Sequence, residues 1–218
     1  MNRDKNYIAD LREDYRLKSL GISEVASDPM TQFKEWFDEA LNSDLKEPNV
    51  MTLATSTPDG MPSARIVLLK GYSENGFIFY TNYDSHKGKA LAANPKAALV
   101  FCWLELERQI RIEGTVRKIS EEDSTNYFQS RPKGSQIGAW ASPQSQTIED
   151  RSVLENNAEE LKKKYASEEV LPKPPHWGGY SVEPTMIEFW QGRSSRLHDR
   201  IRYIKNENGE WGTARLAP

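Results

Sequence analysis

The amino-acid sequence predicts a mainly β protein with α-helices: an antiparallel barrel whose helices pack on the outside. Segments typical of strands occur both before and after a mostly helical stretch. Short turn sequences, such as Asn75-Gly76 in front of the aromatic segment 77–82, predict hairpins between neighbouring strands. With 218 residues, we expect a single domain over 28–218, preceded by an N-terminal arm or lid over 1–27.

Helix starts are predicted from capping residues. Asp28 is typical of an N-cap and Pro29 of the first helical position, and apolar residues follow at helical spacing. Elsewhere a serine, or a threonine with an aspartate three residues later, marks the start. The first predicted helix begins at Pro29 after Asp28, continues through the apolar residues as far as Leu41 and ends before Pro48. The others are 85–94 from Ser85, 120–130 from Ser120 and 147–165 from Thr147 and Asp150, with one further turn over 135–140.

Strands are predicted where β-branched and aromatic residues lie between turn signals. Within 108–119, Ile110 and Ile112 alternate with Arg111 and Glu113, which is the period of a half-buried strand. The predicted strands are 50–57, 64–70, 77–82, 97–106, 108–119, 179–181, 186–190, 200–204 and 211–216.

Composition and charge exclude several classes of protein. Lys and Arg number 29 and Asp and Glu 32, so the net charge of −3 predicts no general attraction to nucleic acid or to an anionic membrane. A single cysteine, Cys102, excludes a disulfide framework and a cysteine-built metal site within the chain. The first residues lack the apolar core of a signal peptide, and the apolar run 97–104 is too short to span a membrane. We therefore expect a soluble, cytoplasmic protein.

Familiar catalytic and phosphate-binding motifs are missing from the sequence. It contains no G-x-G-x-x-G fingerprint after a strand, no G-x-x-x-x-G-K-[ST] loop and no G-x-S-x-G elbow. The three histidines lie far apart in sequence, so we expect no metal site. A bound phosphate would have to be held by side chains.

Four groups of side chains have the chemistry to bind a phosphate. The alternative is a solvated strand end for the first, a simple serine N-cap for the second, a solvated helix end for the third and a plain surface for the fourth. In the first group, Arg65 and Lys70 are five apart on a predicted strand and point to opposite sides. They would share a ligand only through a bulge or across a subunit interface. In the third group, Tyr127 and Arg131 are four apart on a predicted helix and share a helix face. The groups are Arg65 with Lys70; Ser85, His86 and Lys87; Tyr127, Arg131 and Ser135; and Arg196, His198 and Arg200.

The last of these groups is the most informative. If the segment is extended, Arg196, His198 and Arg200 point to one side, and three potential cations on one face repel one another unless an anion compensates them. An apolar aromatic segment, 187–190, precedes them. This pattern favours a binding site over a plain surface.

The same residues carry a resemblance to a known family. Ile187-Glu188-Phe189-Trp190-Gln191, followed after four residues by Arg196-Leu197-His198-Asp199-Arg200, resembles the C-terminal signature of the pyridoxine/pyridoxamine 5′-phosphate oxidases. The segments 65–70, 79–82, 107–109, 130–132, 135–140 and 215–218 agree in the same order, and the resemblance extends from about residue 8 to the C-terminus.

The resemblance implies a split β-barrel of the Greek-key type that forms a homodimer, with FMN in clefts at the subunit interface. It implies oxidation of pyridoxamine or pyridoxine 5′-phosphate at C4′ to pyridoxal 5′-phosphate, with O2 as electron acceptor and H2O2 as product. The flavin would carry the redox chemistry, while the protein orients the substrate.

Site residues are implied by position. FMN would be bound by Arg65, Ile66, Val67, Leu68, Leu69, Lys70, Tyr80, Thr81, His86, Lys87, Gln109, Gln144, Ser145, Trp190 and Arg200. The substrate phosphate would be bound by Lys70, Tyr127, Arg131 and Ser135. Arg196 and His198 would be catalytic and lie over the pyridine ring, and Arg12 and Tyr15 of the arm would close over the substrate.

One departure and two alternatives remain at this point. His86 stands where many family members carry an arginine against the FMN phosphate, so we expect weaker FMN retention above pH 7 than in an arginine variant. The alternatives are another flavin-linked split-barrel enzyme, such as a flavin reductase, and a non-catalytic protein that binds FMN or pyridoxal 5′-phosphate. Arg131, Ser135, Arg196 and His198 argue against the reductase, and turnover would separate an enzyme from a binder. Whether Arg196 or His198 moves a proton stays open.

Overall fold

The computed structural model describes residue 11 and residues 13–218. The α-helices in this part of the chain are α1 (Pro29–Leu41), α2 (His86–Ala93), α3 (Glu121–Ser130), α4 (Lys133–Ala141) and α5 (Ser152–Lys164). The strands are β1 (Val50–Ser56), β2 (Pro62–Leu68), β3 (Gly71–Ser73), β4 (Gly76–Asn82), β5 (Lys96–Trp103), β6 (Arg108–Lys118), β7 (Trp177–Gln191), β8 (Asp199–Lys205) and β9 (Trp211–Leu216).

The strands form a sheet in the order β2-β1-β5-β6-β7-β4-β3, and β8 pairs with β7 and with β9. The pairs β1–β2, β3–β4, β4–β7, β7–β8 and β8–β9 are all antiparallel. This confirms the predicted antiparallel, mainly β architecture with helices.

The chain divides into two compact units. The first contains the described residues up to Pro48 together with Val100–Arg111 and Met186–Pro218, and the second contains Asn49–Leu99 and Ile112–Thr185. The division therefore runs through strands β5, β6 and β7, and the single domain predicted over 28–218 stays a prediction.

The core of the first unit forms beneath α1. The helix buries Phe33, which lies 5.4 Å from Phe101 between ring centres, and Trp36, whose ring meets Phe189 edge-on at 5.2 Å. The guanidinium of Arg108 lies 4.1 Å from the Trp36 ring. The apolar face predicted for this helix is thus the face that packs on the strands.

The core of the second unit forms around Trp177 at the start of β7. Phe128, Ile137, Tyr165 and Leu171 are buried with it and bring together α3, α4 and the segments after α5. Gln136 of α4 is also buried, and its side-chain oxygen accepts a hydrogen bond from the Leu171 backbone at 2.8 Å. This packing fixes the ends of α3 and α4, which matter for the site.

Most predicted helix starts are confirmed. Asp28, Ser85 and Ser120 each accept a hydrogen bond from a backbone N–H in the first turn of their helix. The cap at Thr147 is wrong, because α5 begins only at Ser152 and Asp150 accepts from the backbone of Ser152 instead. The single turn predicted over 135–140 is a full helix, α4.

Two strand predictions are also corrected. The segments 179–181 and 186–190 belong to one strand, β7, which is paired with β4 up to Val182 and with β8 from Met186. Pro184 lies between these two ladders, where its missing N–H breaks no pair in either of them. The strand predicted to reach Leu106 ends at Trp103, and a 3-10 turn follows over Leu104–Leu106. No helix among residues 11 and 13–218 is long and apolar enough to cross a membrane.

Candidate active site

A cavity of about 530 Å3 lies in the second unit and collects most of the residues predicted to bind FMN and the substrate phosphate. We call it the cationic pocket. Its predicted lining residues are Arg65, Ile66, Val67, Leu68, Lys70, Tyr80, Thr81, Lys87, Tyr127, Arg131, Ser135 and Gln144. Asn82, Gly138, Ala139, Ser142 and Trp177 also line it and were not predicted.

The arrangement of Arg65 and Lys70 corrects the sequence argument about them. β2 ends at Leu68, and the backbone N–H of Lys70 donates to the carbonyl of Ile78 at 2.8 Å. Because Lys70 lies beyond the strand, the alternation of side chains along a strand does not apply to it. Both cations line the same cavity within one chain.

Arg65 is held by oxygens of β1 and by Oγ of Ser63 in β2, and none of these partners is a carboxylate. Its Nη1 donates to the carbonyl of Leu53 at 3.1 Å and to Oγ1 of Thr55 at 2.9 Å. Partial burial lowers the pKa of Arg65. Its positive charge is therefore left uncompensated by these partners.

Lys87 reaches the pocket from the first turn of α2, which begins after the N-cap Ser85. Its Nζ donates to Oγ1 of Thr81 at 3.1 Å and to Oε1 of Gln144 at 3.0 Å. Burial, and next the charge of Arg65, lower the pKa of Lys87. A lysine that is desolvated beside another cation gains from a bound anion.

Aromatic rings form one wall of the pocket. Tyr80 stacks on Tyr127 with ring centres 3.9 Å apart and on Trp177 at 5.3 Å. The guanidinium of Arg131 lies 4.8 Å from the centre of the Trp177 ring. Burial raises the pKa of Tyr80 to about 12, so its phenol stays protonated at neutral pH. The wall is thus apolar except for hydroxyl donors and one cation.

Arg131 offers a buried hydrogen-bond donor to the pocket. Its Nη2 donates to the backbone carbonyl of Ser135 at 3.0 Å, whereas its Nη1 is buried and has no hydrogen-bond partner in the part of the chain that the structure describes. Burial lowers the pKa of Arg131. The residues that line the pocket include four cations and no carboxylate. This donor set suits a phosphate, whose oxygens accept several charge-assisted hydrogen bonds.

A second cavity, of about 620 Å3, lies in the first unit. We call it the His198 pocket. It is lined by Leu11, Glu13, Asp14, Tyr15, Arg193, Ser195, Arg196 and His198. It therefore brings together Tyr15, Arg196 and His198, which the resemblance assigned to the substrate.

Rings pack closely beside the His198 pocket. The His198 ring lies 4.5 Å from that of Trp190 and 5.9 Å from that of Tyr15, between centres. Tyr15 meets Trp190 edge-on at 5.8 Å, and its backbone carbonyl accepts a hydrogen bond from Oγ of Ser194. The described part of the arm is thus docked on the residues that resemble a substrate site.

The extended face predicted for Arg196, His198 and Arg200 is wrong. Residues 194–196 form a 3-10 turn, β8 begins only at Asp199, and both Ser195 and Arg196 have left-handed backbone, with φ of 58° and 61°. Such conformations in residues other than glycine are strained and cluster at functional sites. The turn, and not strand alternation, directs Arg196 and His198 to one pocket.

The remaining predicted residues line neither cavity. Leu69 is buried, His86 and Ser145 are exposed, and Gln109, Trp190 and Arg200 are partly exposed. Arg12 lies outside the described residues. The sequence analysis did not predict Arg193 or Trp177 as site residues. For Arg193, its position in the loop that follows the signature strand was a usable signal, and for Trp177 there was none.

Comparison with known proteins decides the family. A family model described as "Pyridoxamine 5'-phosphate oxidase" matches residues 37–165, and one described as "Pyridoxine 5'-phosphate oxidase C-terminal dimerisation region" matches residues 177–218. The chain belongs to the pyridoxine/pyridoxamine 5′-phosphate oxidase family. The resemblance drawn from residues 187–200 is thereby confirmed, and residues 177–218, which contain β7, β8 and β9, match the dimerisation region of this family.

Relatives of the oxidase family cover nearly the whole chain. The pyridoxine/pyridoxamine 5′-phosphate oxidase of Salinibacter ruber is 56% identical over 212 residues, which cover 97% of this chain and 99% of that protein. The oxidase of the same name from Nostoc punctiforme is 59% identical over 211 residues, which cover 97% of this chain and 98% of that protein. Among solved structures, PhzG from Burkholderia lata in complex with tetrahydrophenazine-1-carboxylic acid superposes with a TM-score of 0.87 at 32% identity, covering 94% of this chain and 100% of that one. The split-barrel fold predicted from the sequence is confirmed.

Proposed function

We propose that this chain is an FMN-dependent oxidase that converts pyridoxamine 5′-phosphate and pyridoxine 5′-phosphate to pyridoxal 5′-phosphate. The alcohol and O2 give the aldehyde and H2O2, and the amine with O2 and water gives the aldehyde, ammonia and H2O2. The observation that carries this conclusion is the identity of 56–59% to oxidases of this name over 97% of the chain.

The residues of the cationic pocket fit FMN. Arg65 and Lys87 supply two cations without a carboxylate partner, and Thr81 and Gln144 supply hydrogen-bonding oxygens beside Lys87. These side chains bind and orient the FMN phosphate. FMN held by these residues would supply the redox chemistry between the substrate and O2.

The substrate phosphate is bound by Arg131, Tyr127, Ser135 and Lys70. The Nη1 of Arg131 supports this role, since it is a buried donor with no hydrogen-bond partner among residues 11 and 13–218. The stacked rings of Tyr80, Tyr127 and Trp177 exclude water from that side and strengthen the hydrogen bonds to the phosphate.

Arg196 and His198 hold the pyridine ring, and Tyr15 covers it. This assignment comes from the family resemblance and is supported by the common pocket that these three residues line. Arg12 would act with Tyr15. The active form is a homodimer with FMN at the subunit interface, a proposal supported by the match of 177–218 to the dimerisation region. A cytoplasmic location stays a prediction.

Aerobic turnover tests the function. The purified protein is saturated with FMN and given pyridoxine 5′-phosphate, and pyridoxal 5′-phosphate and H2O2 are followed together. We expect both products in equal amounts over many turnovers. FMN binding without product from either the alcohol or the amine would contradict the proposal and favour the non-catalytic binder, or a flavin reductase if reduced nicotinamide nucleotide is consumed.

A further inference from the structure

Glu188 of β7 is a buried carboxylate whose side chain is 3% exposed. Arg200 of β8 binds it with two parallel hydrogen bonds, Nε to Oε1 at 2.8 Å and Nη2 to Oε2 at 3.1 Å. Nη1 of Arg111 also donates to Oε2, at 3.1 Å. Two such hydrogen bonds from one guanidinium fix both its position and its plane.

Strand pairing explains why these two side chains meet. Across β7 and β8, Glu188 lies opposite Arg202 and Trp190 lies opposite Arg200. Glu188 and Arg200 are therefore diagonal neighbours on the same face of the sheet, a spacing that a long side chain can bridge. Trp190 and Arg200, both assigned to FMN by the resemblance, are direct partners on that face.

The third nitrogen of Arg200 is also engaged. Its Nη1 donates to the backbone carbonyl of Ala217 near the C-terminus, at 2.8 Å. A guanidinium has five N–H groups, so one N–H on each Nη is left for a further acceptor. With all three nitrogens anchored, the direction of these two remaining donors is set by Glu188 and the C-terminal segment.

We propose that Glu188 is a positioning residue that aims Arg200 at FMN. The proposal rests on the proposed function and on the family resemblance, which assigns Arg200 to FMN. Without the carboxylate, Arg200 keeps its charge but loses the two bonds that define its plane, and the flexible side chain samples other directions. An arginine fixed in advance loses less conformational entropy when it binds its ligand.

The alternative is an ion pair that stabilises β7 and β8 and has no effect on FMN. A double-mutant cycle on FMN affinity separates the two roles. The variants are Glu188→Gln, Arg200→Met and the double variant. Arg111→Met is the matched control, because it removes the other cation from Glu188 and leaves both bonds to Arg200. Flavin fluorescence quenching gives the FMN dissociation constant, and thermal unfolding of each FMN-free protein reports folding.

We expect Glu188→Gln to weaken FMN binding about tenfold in the otherwise unchanged protein and less than about twofold in the Arg200→Met background. Arg111→Met is expected to bind FMN within about twofold of the unchanged protein. If Glu188→Gln does not fold, Glu188→Asp, which retains the charge but shortens the reach, is expected to show the same dependence on Arg200.

Equal losses from the Glu188 change in both backgrounds would overturn the proposal, as would an Arg200→Met protein with unchanged FMN affinity. If the unchanged protein binds no FMN, the proposed function fails and this inference fails with it. That result differs from the others because it appears before any substitution is made.

Discussion

The backbone N–H of Arg193 donates a hydrogen bond to Nδ1 of His198 over 3.1 Å. An amide N–H can only donate, so Nδ1 must offer its lone pair, and the neutral ring carries its hydrogen on Nε2. Partial burial, and next the charge of Arg196, lower the pKa of His198. In this state His198 presents a hydrogen-bond donor to its pocket and has no free basic nitrogen.

This geometry predicts the tautomer of His198. In protein labelled with 15N at histidine, we expect the His198 signals at pH 7.5 to show an unprotonated Nδ1 and a protonated Nε2. His198→Gln identifies the resonances by their loss. A protonated Nδ1 would contradict the assignment and restore His198 as a candidate base.

The lowered pKa of His198 also predicts a pH dependence of stability. Below its unfolded pKa of about 6.5, the unfolded chain binds a proton that the folded chain resists, so the free energy of unfolding falls as the pH falls. Above about pH 6.5, proton binding to this residue in the unfolded chain no longer lowers the free energy of unfolding. Denaturant titrations from pH 7.5 to 5.5 are expected to show a smaller fall for His198→Gln than for the unchanged protein, and parallel curves would count against this.

Arg196→Met is expected to bind FMN normally but to lose about 100-fold or more in turnover, because the role proposed for Arg196 is to hold the substrate ring and not the FMN phosphate. FMN affinity and the steady-state rate with pyridoxine 5′-phosphate measure the two effects separately. Arg117→Met is a suitable control, since Arg117 is 74% exposed and pairs with Glu183 on the surface. Turnover near that of the unchanged protein would overturn the role given to Arg196.

Lys87 predicts a loss of FMN affinity at alkaline pH. Burial and Arg65 lower the pKa of Lys87 below 10.5, so in the free protein the ammonium loses its proton earlier than an exposed lysine does. The FMN phosphate favours the charged form, so its dissociation constant is expected to rise as the pH approaches that pKa. The arginine of Lys87→Arg keeps its positive charge, so the FMN dissociation constant of this variant is expected to change less between pH 7 and 10. Identical profiles would show that Lys87 does not bind the phosphate.

His86 is an exposed residue in the first turn of α2, next to Lys87, and does not line the cationic pocket. An arginine at this position would add a permanent positive charge beside Lys87. His86→Arg is therefore expected to bind FMN more tightly at pH 8, by a few-fold, in a direct titration. Equal dissociation constants for the two proteins would remove His86 from the FMN site.

Gly88 is required by the close approach of α2 to the chain before it. A Cβ at this position would lie 2.1 Å from the backbone carbonyl oxygen of Tyr83. Gly88→Ala is expected to lower the free energy of unfolding by about 3 kcal/mol and to displace Lys87, which weakens FMN binding. Gly134→Ala, in α4 with open space around it, is the control and is expected to be neutral or slightly stabilising. Equal unfolding free energies for the two variants would contradict the clash.

Local chemistry explains why much of the fold was predictable. Asp28, Ser85 and Ser120 cap their helices through contacts within three residues, so a short stretch of sequence contains all the information. The failed cap at Thr147 shows the limit of such patterns, because the pattern was present but α5 starts five residues later. The prediction of two separate strands over 179–181 and 186–190 failed because the first segment pairs with β4, which is distant in sequence, and the second pairs with the following strand, β8, while both belong to β7.

The candidate site shows the same contrast between what local sequence predicts and what long-range contacts decide. The sequence by itself determined the family, through the signature at 187–200, and with it most of the residues that line the cationic pocket. Only the tertiary structure decided that Lys70 joins Arg65 in one cavity, that Trp177 lies under Arg131 and that Glu188 holds Arg200. Each of these contacts joins residues that are set in place by strand ends, turns and packing elsewhere in the chain. A side chain's neighbours across a fold depend on long-range pairing, which local patterns do not encode.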